Sequence, residues 1–287
     1  MLPSSSSLFH YTKKTNGLIG IIEKGFRYSY CFEEFDETVA RFINRPAVEK
    51  ARILNPCEEK YGIAIPMICF CDIPLSRADS HRSNYGDFCI GLNKEKVRVQ
   101  LSNINPVLYQ SSNWIMHTLE TLVESLPCQE QQEDYFKQVE SITQGRNAVN
   151  GASEIVKAQR SGRLSLLNFD AISAVKLLLS LVKTDISKYD EREWRVFWDE
   201  NIDIEFGLTE ELFNQKRVEF NKRISNQYAT FDIGIINHII VPTEHCVPCI
   251  IDKIKKSETI LGKTATDDDK EMLITKIMTF ERIENDF

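Results

Sequence analysis

Pro66 to Cys71 is an unbroken apolar run, closed at once by Asp72-Ile73-Pro74. Six apolar residues are too few for a core helix, and the proline turn behind them marks a buried strand. Further short strands are expected at Leu8 to Tyr11, Phe88 to Leu92, around Val107 to Gln110, in the second half of Glu191 to Trp198, at Ile235 to Val241 and at Leu273 to Phe280. Helices fall between them irregularly. Thr15 or Asn16 caps one that buries Leu18, Ile19, Ile21 and Ile22 and stops at Gly25. Thr209 caps a second, through Ile224, with Glu210 and Glu211 in the first turn, where the helix dipole favours acids. A third starts near Pro248 and runs to Lys256. Strands mixed with helices, without βαβ alternation, argue for an α+β fold.

The middle of the chain changes character. Ile115, Leu119, Leu122 and Leu126 recur at helical spacing. Gln129 to Val149 is polar and Gln-rich, and Ala171 to Val182 reads as a more buried helix. These place a helical insertion at about 112–184 inside a single domain of 1–287. Tyr28 to Pro56 is aromatic, then acidic, then helical in pattern. His81 and Tyr85 sit in an expected polar loop, and Thr264 to Glu271 in an expected acidic one.

Composition narrows the function classes. The 287 residues carry 42 acidic and 35 basic side chains, a formal net charge of −7, which disfavours indiscriminate binding to phosphate backbones. No secretory leader precedes Leu8, and no window reaches 18 apolar residues, so a cytoplasmic protein without a membrane span is expected. In a reducing cytosol the eight cysteines read as free thiols.

Three segments carry chemistry-bearing side chains: Ser7-Leu8-Phe9-His10-Tyr11-Thr12; Ile68-Cys69-Phe70-Cys71-Asp72 with His81 and Tyr85-Gly86 behind it; and Glu191-Arg192-Glu193-Trp194-Arg195. Taken singly, each has an ordinary explanation. A histidine in an apolar strand is usually a satisfied core group, Glu-x-Glu a solvated face, and Cys-Phe-Cys two small buried hydrophobes. His245-Cys246-Val247-Pro248-Cys249 is half a zinc site without its second pair, and reads as the packing of a helix start. Lys253, Lys255 and Lys256 read as a solvated helix face. Gly17, Gly20 and Gly25 make no dinucleotide fingerprint.

Their order, together with Ile65-Pro66-Met67 ahead of the second segment, Ile90-Gly91-Leu92, Pro106-Val107-Leu108-Tyr109 and Ile239-Ile240-Val241-Pro242, resembles the AbiGi-type abortive-infection (phage-resistance) family. That family in turn looks like a distant branch of the ADP-ribosyltransferase fold, which implies a split β-sheet core with the helical insertion attached. The resemblance implies NAD as substrate, with His10 at the first-strand position and Glu193 at the late-strand acid. Cys69-Phe70-Cys71 stands where hydroxyl residues are common. On this reading Glu193 stabilises the cationic ribose and acts as a base. His10, Tyr11, Thr12, Phe70, Cys71 and Asp72 surround the cofactor. Tyr28 or Tyr30 supplies an aromatic surface, and Arg27 or Arg195 pairs with the pyrophosphate. No metal is expected.

The function so implied is an ADP-ribosyltransferase toxin of a phage-defence or toxin-antitoxin system, acting on RNA or protein. Lys13, Lys14, Arg27, Arg77 and Arg82 would form a basic groove for RNA, and an antitoxin or inhibitory protein would silence the toxin. The alternatives are a non-catalytic antitoxin or binding module of the same fold, and an NAD glycohydrolase.

Overall fold

The computed structural model describes residues 5–35, 61–101, 103–109, 181–183, 186–198 and 205–286. The chain enters as β1 (Ser7–Thr12) and turns into α1 (Thr15–Lys24). Leu18, Ile21 and Ile22 of α1 lie at the spacing of one helical face and are buried. Gly25 ends α1 at φ 93°, and a Cβ there would meet the Ala229 carbonyl oxygen at 2.7 Å, so both backbone and space demand glycine. β2 (Phe26–Arg27) and β3 (Ser29–Phe35) follow.

β4 runs from Tyr61 to Cys71, five residues longer at its start than the apolar run that announced it. After it come α2 (Asp79–Tyr85), β5 (Phe88–Asn93), α3 (Lys94–Gln100), β6 (Ile104–Pro106), β7 (Leu108–Tyr109), β8 (Val182–Lys183), β9 (Glu193–Phe197) and β10 (Glu205–Leu208). The last third holds α4 (Glu210–Arg223), β11 (Tyr228–Ala229), β12 (Ile236–Val241), α5 (Val247–Lys256), β13 (Thr259–Ile260), β14 (Lys263–Thr264), α6 (Asp267–Ile274), β15 (Ile277–Thr279) and α7 (Phe280–Asp286). The fold is α+β, as expected. The insertion at 112–184 lies outside the described residues except for Leu181 to Lys183.

The main sheet is mixed, in the order β15-β12-β5-β1-β4-β9-β6, with β3 and β10 also paired to β4. Only the β12–β15 pair is parallel among the pairs of this sheet that the described residues form. One face of the sheet buries Leu8, Ile90, Leu92, Ile239 and Val241 with the apolar sides of α1, α4 and α5. The other packs Phe9, Cys71, Cys89 and Ile240 against Phe280 and Ile283 of α7.

Three local expectations are corrected. His81 and Tyr85 lie on α2 rather than in a loop. The expected acidic loop is α6, nucleated by a capping box in which Thr266 and Asp269 satisfy each other's backbone N–H groups. The expected strand from Leu273 to Phe280 shrinks to three residues, because α6 takes its start and α7 its end.

Candidate functional site

The sheet forks at β4. On one flank β3 pairs with β4 from Tyr61 up to Met67, while β1 pairs with it only through Phe9 opposite Cys71. Between those contacts the two neighbouring strands diverge, because β1 follows β5 along its whole length. A cavity of about 700 Å³ opens in this fork. Its walls are β1 (Phe9 to Tyr11), β3 (Cys31 to Glu34), the end of β4 (Cys69 to Cys71) and the ring-bearing face of α2; Lys183, Glu191, Glu193 and Glu210 complete the lining.

His10 bridges the fork. Its Nδ1 lies 2.8 Å from the carbonyl oxygen of Cys69, and because a carbonyl only accepts, the ring proton sits on Nδ1. The ring is held edge-on between Phe26 and Phe70, at centroid distances of 5.4 and 5.7 Å. Burial pushes its pKa below the ordinary imidazole value, and the bond to Cys69 only partly offsets this. A neutral imidazole here replaces the ladder hydrogen bond that the diverging strands cannot make.

Opposite it lies a cluster of ions. The guanidinium of Arg195, fully buried, donates from Nε to Glu193 Oε1 at 2.9 Å and from Nη2 to Glu33 Oε1 at 2.7 Å. The second oxygen of Glu193 takes Lys183 Nζ at 2.6 Å, and the same ammonium reaches Glu191 at 3.0 Å. Tyr85 donates its hydroxyl to the other oxygen of Glu191. The backbone makes this convergence possible. Arg192 sits at φ 44°, in the left-handed region, and turns the chain sharply from a short 3₁₀ segment into β9. Glu191 and Glu193, on either side of that turn, both reach Lys183.

These contacts decide the charge states. Burial opposes ionisation of Glu193, but the charge and hydrogen bonds of Arg195, with Lys183, outweigh it and hold the carboxyl down to about 2. For Glu33 burial wins over Arg195, and its pKa is raised. The Cys31 and Cys69 thiols, on neighbouring strands, act on each other so that the first is lowered and the second raised. His81, 6% exposed, has no hydrogen-bond partner for Nδ1, and burial lowers its pKa despite the nearby Glu191 and Glu193.

A family model described as "Putative abortive phage resistance protein AbiGi, antitoxin" matches residues 42–242, most of the chain. The chain belongs to the AbiGi family. One relative, the "Abortive phage resistance protein AbiGi" of Lactococcus lactis subsp. cremoris, is 28% identical over an alignment of 259 residues that covers 81% of this chain and 92% of the relative. No solved structure matches the chain. The resemblance read from the sequence therefore stands, but the function drawn from it is corrected. The AbiGi family description names an antitoxin, which overturns the ADP-ribosyltransferase toxin and favours the non-catalytic alternative.

The AbiGi fold brings some of the expected residues together and scatters the rest. His10, Tyr11, Phe70, Cys71 and Glu193 line one cavity. Thr12 instead packs its hydroxyl over Gly17. Arg27 is exposed on β2, opposite Tyr228. Tyr28 is buried, and Tyr30 is fully buried against Phe220 at 5.3 Å; neither offers a surface to a ligand. Asp72 is taken by Lys94 at 2.5 Å and by the Ser5 backbone N–H. Arg195 lies behind Glu193 as its counter-ion and is closed to a pyrophosphate. Arg82, expected in a basic groove, is bound by Asp87 and Glu284 and lies over the Phe280 ring. Nor does the lining fit NAD: a pyrophosphate would enter beside Glu33, Glu191 and Glu193, whose two cations are already engaged. Like charges 5 Å apart repel by about 3 kcal/mol at an effective dielectric of about 20.

The sequence reading missed Lys183, Glu33 and Cys31. The last two lie on β3, and only register with β4 brings them to Glu193. Cys246 stands at the N-cap position of α5 without a side-chain capping bond, its sulfur near Thr243 Oγ1, and Cys249 is exposed, in keeping with a helix start. Among the described residues no group of three or more His, Cys, Asp or Glu side chains is arranged to hold a metal ion, and no helix is long and apolar enough to cross a membrane.

Proposed function

We propose that this chain is a non-catalytic antitoxin that acts in abortive phage resistance by binding and neutralising a toxin protein. The observation that carries the reading is the family match over residues 42–242 with its antitoxin description. The site supports it chemically. Both oxygens of Glu193 are occupied by Arg195 and Lys183, so this carboxylate is poorly placed to receive a ribose hydroxyl or to abstract a proton. A forked sheet also suits a scaffold of the ADP-ribosyltransferase type that keeps the architecture and gives up the reaction.

The test is genetic and direct. The full chain is expressed alone in a bacterial host, and then together with the growth-arresting protein of the same phage-resistance system. The expected result is normal growth alone and restored growth in the pair. Arrest by this chain alone, or arrest unrelieved by it, overturns the reading.

A further inference from the structure

We infer that the fork cavity is the receptor for an arginine side chain of the neutralised protein, held between the carboxylates of β3 and β9 and the rings of α2. This inference rests on the antitoxin reading and names the chemistry of that contact.

Three independent features of the cavity converge on a guanidinium. The first is charge. Among the described residues, three largely buried carboxylates, Glu33, Glu191 and Glu193, share two cations, Arg195 and Lys183. A third cation would complete the set, and Glu210 adds a further carboxylate at the rim. Desolvated carboxylates attract a cation far more strongly than exposed ones do.

The second feature is His81. Its ring lines the cavity, yet its Nδ1 is buried without a partner. Buried polar atoms of native proteins nearly always have one, so an orphan on a side chain that lines a hollow points to an absent ligand group. Burial keeps the ring neutral, and a neutral imidazole nitrogen can accept an N–H from an incoming donor.

The third is shape. The His81 ring lies 5.5 Å from Tyr85 and 6.0 Å from Tyr11, which gives the wall an aromatic surface. A guanidinium is planar: it stacks on rings through its faces and donates to carboxylates along its edge. An ammonium offers the same charge without that division, so arginine should be preferred to lysine.

The probe is N-acetyl-arginine amide, titrated into the full-length protein and followed by NMR shifts of residues around the cavity. Saturable shifts are expected with arginine amide, weaker ones with the lysine amide, and none with the neutral citrulline amide. His81→Phe preserves the ring and removes the acceptor, and should weaken binding by about tenfold. Glu210→Lys, at an exposed position, should weaken it by about fivefold while leaving the spectrum folded. No saturable shift, or equal response to the citrulline amide, overturns the inference.

The same two variants are then tested for growth rescue. Loss of rescue with a folded spectrum supports the inference. Full rescue by both variants overturns it and leaves the antitoxin reading standing. Failure of the wild-type chain to rescue overturns that reading instead, whatever the amide titration gives.

Discussion

The two halves of the main sheet differ in what they bury beside their apolar side chains. Around β5 and β12, Ile90, Leu92, Ile236, Ile239, Ile240 and Val241 are all fully buried, and helices cover them with more aliphatic side chains. Around β4 and β9, Ile63, Ile65, Ile68, Phe70, Val196 and Phe197 are buried too, but so are Arg195 and Glu193, with Glu33 and Lys183 half-buried beside them. An aliphatic core returns stability for every methylene it hides. A buried ion pair at best recovers the desolvation it costs, and apolar residues of like volume commonly do as well or better. Both halves therefore gain stability from their apolar side chains. The second keeps its ions for some other reason, and the cavity beside them supplies one.

Breaking the ionic half should have the largest consequence. Arg195→Met leaves two buried carboxylates without their shared cation and should lower the free energy of unfolding by about 4 kcal/mol, read from urea denaturation. Converting the set together, with Arg195→Met, Glu193→Leu and Glu33→Leu, should restore most of that loss. A triple variant as unstable as the single one would show that the ions hold the fold rather than burden it. In the aliphatic half, Ile239→Ala should cost about 3 kcal/mol by opening a cavity. It should leave the response to N-acetyl-arginine amide unchanged, since β12 does not border the fork.

Acid sharpens the contrast by a smaller step. Burial depresses the pKa values of His10 and His81 at the fork, and of His238 on β12, where Lys276 adds to the effect. The unfolded chain takes up these protons near pH 6.5, whereas the folded chain resists them. Stability is therefore complete above that value and declines as pH falls below it, by up to about 1.4 kcal/mol per pH unit for each group. Replacing His81 by Phe should flatten the decline in urea titrations between pH 6.5 and 5, and His238→Phe should do the same from the other half. An unchanged slope in either variant would mean that the ring is already charged in the folded state. Glu193 adds a later loss with the same sign, between its ordinary 4.5 and about 2.

Legibility follows the range of the interaction. The strands at Leu8 to Tyr11 and Phe88 to Leu92, the cap at Thr209 and the helix at Val247 to Lys256 were readable because each is decided by neighbours in sequence. His10 and Glu193, singled out in the sequence as catalytic candidates, both line the fork cavity. Arg195 was misread because two-residue alternation puts it on the same face as Glu193 without saying whether that face is open or sealed. Lys183 carried no local signal, since its partners Glu191 and Glu193 are brought together only by the left-handed turn at Arg192 between them. The acidic stretch at Asp267 to Asp269 looked like a solvated loop until its first-turn position behind Thr266 was recognised.

β4 has one further consequence. Within eleven residues it sets the registration of β1 and β3 on one flank and of β9 and β10 on the other. Adding or deleting a single residue between 61 and 71 would rotate every later side chain to the opposite face, turning Cys69 and Cys71 away from the hollow and misaligning both flanks at once. Homologous chains can thus retune this recess by exchanging one side chain for another, but the number of residues along its spine has to stay constant.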